Sequence, residues 1–321
     1  MKIHVKFSSQ SYFLSDLDAL GASFGLMGSS GTKPCIRCKN IVGKVCKVDD
    51  PYFRNLTHPN LADCQQVTDD EIWEAVDTLA IKKSEISVSD FKKLEKCLGL
   101  HYIPTCLWSL PQHRSKLPLS NILFDIMHLY YANGVASSEL NLCMATLDGL
   151  GISHQMVLNR LKEMSFRRIY TSWSQNFLVN IFAEKLFEGD VYKGSAQECQ
   201  SALSLLWFFV VKFVAPEHKD HWEPFVKSFG ALMEIHRWFR KVRFQDVIKS
   251  SDLKALKDLQ FKHATFFLEA YGEAKVRPKF HFRLHLPFAL GKIRKYIDCE
   301  PHASWNIHLM YSFTSFLFFK Y

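Results

Sequence analysis

Between residues 138 and 274 the chain reads as one helix after another. The segments are 138–150, 153–163, 174–187, 196–214, 221–244 and 251–274, opening at or near Ser, His or Asp, several with apolar residues at three-and-four spacing. A block of this length must bury its apolar faces in an all-helical unit of its own. The flanking sequence has a different character. Residues up to Phe7 alternate apolar and polar, which predicts a strand. A mixed segment over 16–24 predicts a helix, 25–33 is a Gly/Ser-rich loop, and 43–66 is irregular. Thr68 and Glu71 form a capping box ahead of Ile72, Ala75, Val76 and Leu79, and a second helix is expected over 90–98. The run 122–129 is apolar except for Asp125 and His128, and reads as a buried strand ending near Asp125. Val276-Arg277-Pro278-Lys279 breaks the helical block, and a helix-like pattern resumes over 281–297.

Composition narrows the class. With 48% apolar and 22% charged residues over 321 positions, the chain is globular. The net charge of +8 permits a nucleic-acid partner without demanding one. Nine cysteines scattered over a long chain do not suit a small disulfide-stapled secreted scaffold. The N-terminal residues have no apolar signal core, and no uncharged apolar run reaches the roughly 18 residues of a spanning helix. The reading is an intracellular, non-secreted protein without a membrane partner, its thiols reduced and available for metal.

Four constellations could carry chemistry. Cys35 and Cys38, a Cys-x-x-Cys pair behind the Gly-rich turn, can face one Zn²⁺ ion. Lys33, Arg37 and Lys39 beside them would favour the thiolate. His281 and His285, at i and i+4, can supply the other half, closing the count at Cys₂His₂, a structural site with no open position. Two structural thiols, a redox pair, or core histidines are the alternatives. Asp125, with His128 three residues on, is a carboxylate in an apolar run, costly to bury unless paired or bound to a cation. It is a candidate Mg²⁺ ligand, or else a cap for the next turn. Lys275, Arg277, Lys279, Arg283, Lys292, Arg294 and Lys295 form an acid-free basic stretch that suits a phosphate backbone or a solvated face. A second basic group, Arg237, Arg240, Lys241 and Arg243, is interleaved with Trp238, Phe239 and Phe244, aromatics that either stack on bases or belong to the core.

These elements in this order resemble a known family. Residues 15–20 and the stretch from Gly28 through Cys35-Ile36-Arg37-Cys38 to Asn40 resemble the K-G-x-x-G-x-x-x-C-x-x-C segment of CACTA (En/Spm)-type and Plavaka-like transposases. Phe124-Asp125-Ile126-Met127-His128-Leu129 is similar to the D-x-x-H element that follows there, and Lys279-Phe280-His281 with His285-Leu286 to a later K-F-H-x-x-x-H-L element. The similarity spans roughly residues 13 to 299.

The resemblance implies an RNase H-like α/β core, partial here, interrupted by a large all-helical insertion, with the chain mainly helical by residue count. It divides the chain into a partial core with the Cys loop over 1–135, a helical insertion over 136–275, a return helix with the His pair over 276–300, and an atypical apolar tail over 301–321. In the family three carboxylates hold two Mg²⁺ ions for DNA strand cleavage and transfer. Asp125 would be the second of these with His128 as its local partner, and the Cys₂His₂ zinc would tie insertion to core. Asp16 and Asp18 match a different acidic spot of the family, so the first carboxylate is read as missing. Glu300 is the acid offered for the third, yet Pro301 would disrupt a helix through it. The expectation is a transposase-derived DNA-binding protein, nuclear or otherwise intracellular, with structural zinc, with Mg²⁺ only if it is active, with room for a homo-oligomer, and catalytically incomplete. A non-catalytic zinc-stabilised nucleic-acid-binding module and a metal-free helical interaction protein are the other two readings.

Overall fold

The computed structural model describes residues 12–43, 50–164, 175–296 and 317–319. The strand expected up to Phe7, Glu300 and most of the apolar tail lie outside these residues. The chain divides into two compact units, Met1–Asp125 with Asp298–Tyr321, and Ile126–Ile297. The sequence reading set the border near 135 and separated 276–300. The contacts put the border at Asp125 and assign the described part of the return segment to the helical unit.

The first unit contains strand β1 (Tyr12–Ser15), helix α1 (Leu17–Phe24), the short strands β2 (Ile41–Val42) and β3 (Arg54–Asn55), helices α2 (Asp69–Glu85), α3 (Val88–Leu98) and α4 (Pro111–Arg114), and strand β4 (Ile122–Phe124). The sheet has the order β4–β1–β5, where β5 is Leu317–Phe319. β1 runs parallel to β4, with Ser15 opposite Phe124, and antiparallel to β5. The apolar tail thus contributes an edge strand. Phe13 of β1 meets Phe24 of α1 edge-on at 4.9 Å, and Phe24 meets Trp108 at 4.8 Å. These buried rings form the centre of the unit. The capping box is present at α2: Thr68 accepts from Glu71 N, and Glu71 accepts from Thr68 N. The Gly-rich loop is held backbone to backbone. Met27 N donates to Gly99 O at 3.0 Å, and a side chain at Gly99 (φ 73°) would stand 2.5 Å from Lys33 O.

The second unit is all helical: α5 (Ile126–Tyr130), α6 (Val135–Gly149), α7 (His154–Lys162), α8 (Gln175–Ile181), α9 (Ala196–Phe209), α10 (Lys219–Val242), α11 (Ser250–Tyr271), α12 (Pro278–Phe282) and α13 (Leu286–Ile293). Each element expected over 138–274 is represented, although a π-helical turn, Val210–Val214, continues α9. α10 and α11 pack along one another, and Leu232, Ile235, Trp238 and Phe239 of α10 and Leu256 and Phe267 of α11 are buried. Trp238 and Phe239 are therefore core, not a stacking surface. Among the described residues no helix is long and apolar enough to cross a membrane.

His236 of α10 is buried with its Nδ1 2.7 Å from the Tyr131 hydroxyl. Burial, with Arg240 and Arg237 adding to it, holds its imidazole down to about 4. An unfolded histidine titrates near 6.5, so the unfolded chain takes up the proton first as pH falls. The stability contributed is full above about 6.5 and is lost towards pH 4, amounting to about 3 kcal/mol. Urea unfolding across this range should show that slope, and His236→Gln, which cannot titrate, should flatten it.

Candidate metal centre and its surroundings

In the first unit the Cys-x-x-Cys turn is built by non-local pairing. Val67 N donates to Arg37 O at 3.0 Å, Lys39 N donates to Gln65 O at 2.8 Å, and Cys38 bridges Gln66. Gln66 Nε2 points at Cys38 Sγ (3.8 Å) and donates to Cys64 O at 3.3 Å. Cys35, Cys38 and Cys64 are all buried, at 2%, 0% and 6% exposure. Hydrogen bonds to the Cys35 and Cys64 thiols, then burial, push the Cys38 thiol far above its usual value. Crowded buried sulfurs resist ionisation together without a cation among them, and a bound metal lifts that penalty by taking the protons' place.

Arg37 and Lys39, two of the expected basic neighbours, are bonded to other groups. Arg37 is buried, with Nη2 donating to Leu119 O (3.2 Å) and to Ile122 O, and its guanidinium lies over the Phe124 ring. Lys39 pairs with Glu71. Burial pushes the Lys33 ammonium down.

In the second unit His281 lies on α12, and His285 ends the 3₁₀ turn Arg283–His285 that continues it. Pro278 occupies the first turn of α12, where its missing N–H costs nothing. Both imidazoles are buried, with ring centroids 5.2 Å apart and nearly perpendicular. The i, i+4 spacing thus brings the two rings to one place.

Arg283 stands between them and corrects the sequence reading: it is 0% exposed and faces the core, not a phosphate. Its Nη1 donates to His263 Nδ1 at 2.6 Å. Because arginine can only donate, His263 Nδ1 accepts and Nε2 carries the hydrogen, which goes to Glu139 Oε2 at 2.6 Å. The imidazole is neutral in this arrangement, in keeping with burial pushing its basicity down. Ser228 Oγ donates to the other Glu139 oxygen at 2.6 Å, and Gln260 Nε2 donates to Arg283 O and to the Tyr130 hydroxyl. Lys279 is also engaged, its Nζ donating to His128 O at 2.8 Å and Ala132 O at 3.0 Å at the end of α5. Of the basic stretch, Lys275, Lys292, Arg294 and Lys295 are exposed and Arg277 is half-buried.

The β1–β4 register changes the reading of the carboxylates. Ser15 pairs with Phe124, so Asp16 and Asp125 follow the last residues of two adjacent parallel strands. Asp125 N donates to Ser15 O at 3.3 Å, continuing the ladder, so these backbones run about 4.8 Å apart. Asp125 is 1% exposed, and Asp16 is half-buried with Oδ1 accepting from Ala19 N at 2.7 Å as the cap of α1. Asp18 is exposed in the first turn of α1. His128 is half-buried on α5 in the second unit. Asp16 and Asp125 thus stand at the ends of neighbouring strands, a register the sequence reading did not anticipate. Periodicity missed it because β1 has only four residues.

No protein-family model, no curated protein and no solved structure matches the chain.

Arg283→Met should destabilise the protein by about 3–5 kcal/mol in urea unfolding, because it leaves Glu139 buried without its cationic partner. Arg283→Met/Glu139→Gln should recover part of that loss. A cost below about 1 kcal/mol would remove the network from the account.

Proposed function

We propose that this chain is a zinc-stabilised nucleic-acid-binding protein of transposase-like descent, in which Cys35, Cys38, His281 and His285 hold one structural Zn²⁺. The observation that carries the reading is the donor set: two thiols and two imidazoles, all buried, a combination compatible with zinc. Two sulfurs and two nitrogens complete a tetrahedron and leave no position for water, which suits a structural ion. The crowding around Cys38 fits the same ion, since Zn²⁺ takes thiolates and offsets their charge. Bound zinc would supply folding energy, not chemistry.

Exposed Lys275, Lys292, Arg294 and Lys295 on a chain of net charge +8 support a phosphate partner. The parallel β1–β4 pair with β5 antiparallel on the other side supports an RNase H-like core for the first unit. A nuclear location and a homo-oligomeric state belong with this reading.

The zinc reading predicts about one zinc per purified chain, retained against a weak chelator. Cys35→Ser and His281→Ala/His285→Ala should each lose it and melt at lower temperature. A folded wild-type chain without zinc would leave the metal-free helical protein instead. Binding to duplex DNA should weaken steeply with salt, and neutralising Lys292, Arg294 or Lys295 should each reduce the salt slope by about one.

The register of Asp16 and Asp125 favours a second reading, in which the strand ends hold Mg²⁺ for strand cleavage. Bound Mg²⁺ would stabilise charge on attacking and leaving oxygens. The contribution of this chain would be two carboxylates held by the β1–β4 ladder and the α1 cap. This reading predicts Mg²⁺-dependent nicking of duplex DNA that Asp16→Asn and Asp125→Asn each abolish without weakening DNA binding. Salt-dependent binding with no nicking by the wild-type chain would leave the non-catalytic reading alone.

A further inference from the structure

Within the helical unit, α11 and the segment that ends in α13 run antiparallel, and three contacts give their register. Arg294 Nη1 donates to Ser250 Oγ at 3.0 Å, and Gln260 Nε2 donates to Arg283 O at 2.9 Å. Between them a side chain at Gly291 would stand 3.2 Å from Leu253 Cδ1, so glycine lets the two helices approach closely. From Leu253 the same stripe of α11 continues to Lys257 and Phe261, at i+4 and i+8. On α13, Phe288 lies three residues before Gly291 and four before Lys292, on one face with both. One groove between the two helices is thus edged by Phe261 and Lys257 on one side and by Phe288 and Lys292 on the other. The core needs neither ring: α11 already buries Leu256, Gln260, His263 and Phe267, and α13 buries Leu286, Ala289 and Leu290. Phe261 and Phe288 are instead 51% and 58% exposed. Single exposed apolar residues are ordinary, but two flat rings on facing edges of one groove form a patch.

We propose that the α11–α13 groove binds single-stranded DNA, with unpaired bases stacked on Phe261 and Phe288 and the backbone phosphates held by the lysines at its edges. This rests on the nucleic-acid reading and names the form of DNA that the helical unit takes. Charge selects the occupant. The exposed charged residues beside the rings are Lys254, Lys257 and Asp258 on α11 and Lys292 on α13, with Arg294 and Lys295 just past its end, an excess of cations that suits an anionic chain. The rings narrow the choice further. A phenyl face takes the flat face of any base, so such a platform tolerates sequence. In a duplex each base face is covered by its neighbours, and only an unpaired strand can offer one to a side chain. Arg294 also holds the end of α13 in place, since its Nη1 donates to Ile248 O and Ser250 Oγ while Ile248 N donates back to Arg294 O at 2.8 Å. Its partners there are neutral, so its charge still faces the groove's end.

The test uses the full-length chain and a fluorescently labelled single-stranded oligothymidylate, with a duplex of equal length beside it. Phe261→Ala and Phe288→Ala should each weaken single-strand binding by about tenfold while duplex binding changes by less than about twofold. Their salt slope should stay that of the wild type, because a stacked ring releases no counterion. Lys257→Gln should instead lower the single-strand salt slope by about 0.7. Phe288→Trp should keep the affinity, and its added indole fluorescence should be quenched on binding. Phe288→Leu, which keeps an apolar side chain without a flat ring, should bind the single strand as weakly as Phe288→Ala. Full single-strand affinity in Phe288→Leu would overturn stacking and leave the groove as an apolar docking site for a protein segment or a second copy. Alanine chains that bind the single strand as tightly as the wild type would overturn the proposal while salt-dependent duplex binding, and the reading it supports, stand. A wild-type chain that binds neither form of DNA would bring down the nucleic-acid reading together with this one.

Discussion

Arg37 carries a positive charge into the interior of the first unit, and the unit is arranged around giving that charge partners. Its guanidinium donates to the carbonyls of Leu119 and Ile122 where the chain enters β4, and it sits between Cys35 and Cys38 in the sequence. One side chain therefore fixes the thiol turn against the strand that ends at Asp125. A guanidinium suits this task because it cannot shed its proton and must be bonded wherever it is buried. Arg283 does similar work in the second unit. It runs from the segment that carries His281 and His285 to His263 and Glu139, so the imidazole pair is anchored by a buried ionic chain. Each half of the donor set is thus held by an arginine that sequence alone would place at the surface.

Much of the helical unit was legible because three-and-four spacing is local. So was the capping box at Thr68 and Glu71, and the i, i+4 pairing of His281 and His285. The carboxylate of Asp125 stood out because an acid in an apolar run has few uses. What escaped was non-local or too short. β1 has four residues, below the length at which alternation shows, so the meaning of Asp16 emerged only from its register with β4. The thiol turn is held by backbone pairing of Cys38 with Gln66, a long-range contact which no spacing rule anticipates.

The basic stretch shows a different failure. Seven positive charges without an acid look like one cationic face when counted along the chain. Burial separates them: Arg283 faces the core, Lys279 caps carbonyls at the end of α5, and Lys292, Arg294 and Lys295 stay exposed. Charge counts measure composition, whereas a phosphate partner meets only the exposed charges. Lys39 is likewise engaged, paired with Glu71, and burial pushes the Lys33 ammonium down.

The central claim is that two thiolates and two imidazoles share one zinc ion. X-ray absorption at the zinc edge of the purified full-length chain tests it most directly, because it counts the neighbours by element and distance. The account predicts a shell of two sulfurs near about 2.3 Å and two nitrogens near about 2.0 Å. A shell of sulfur and oxygen with no imidazole contribution, or no stoichiometric zinc in folded protein, would contradict it.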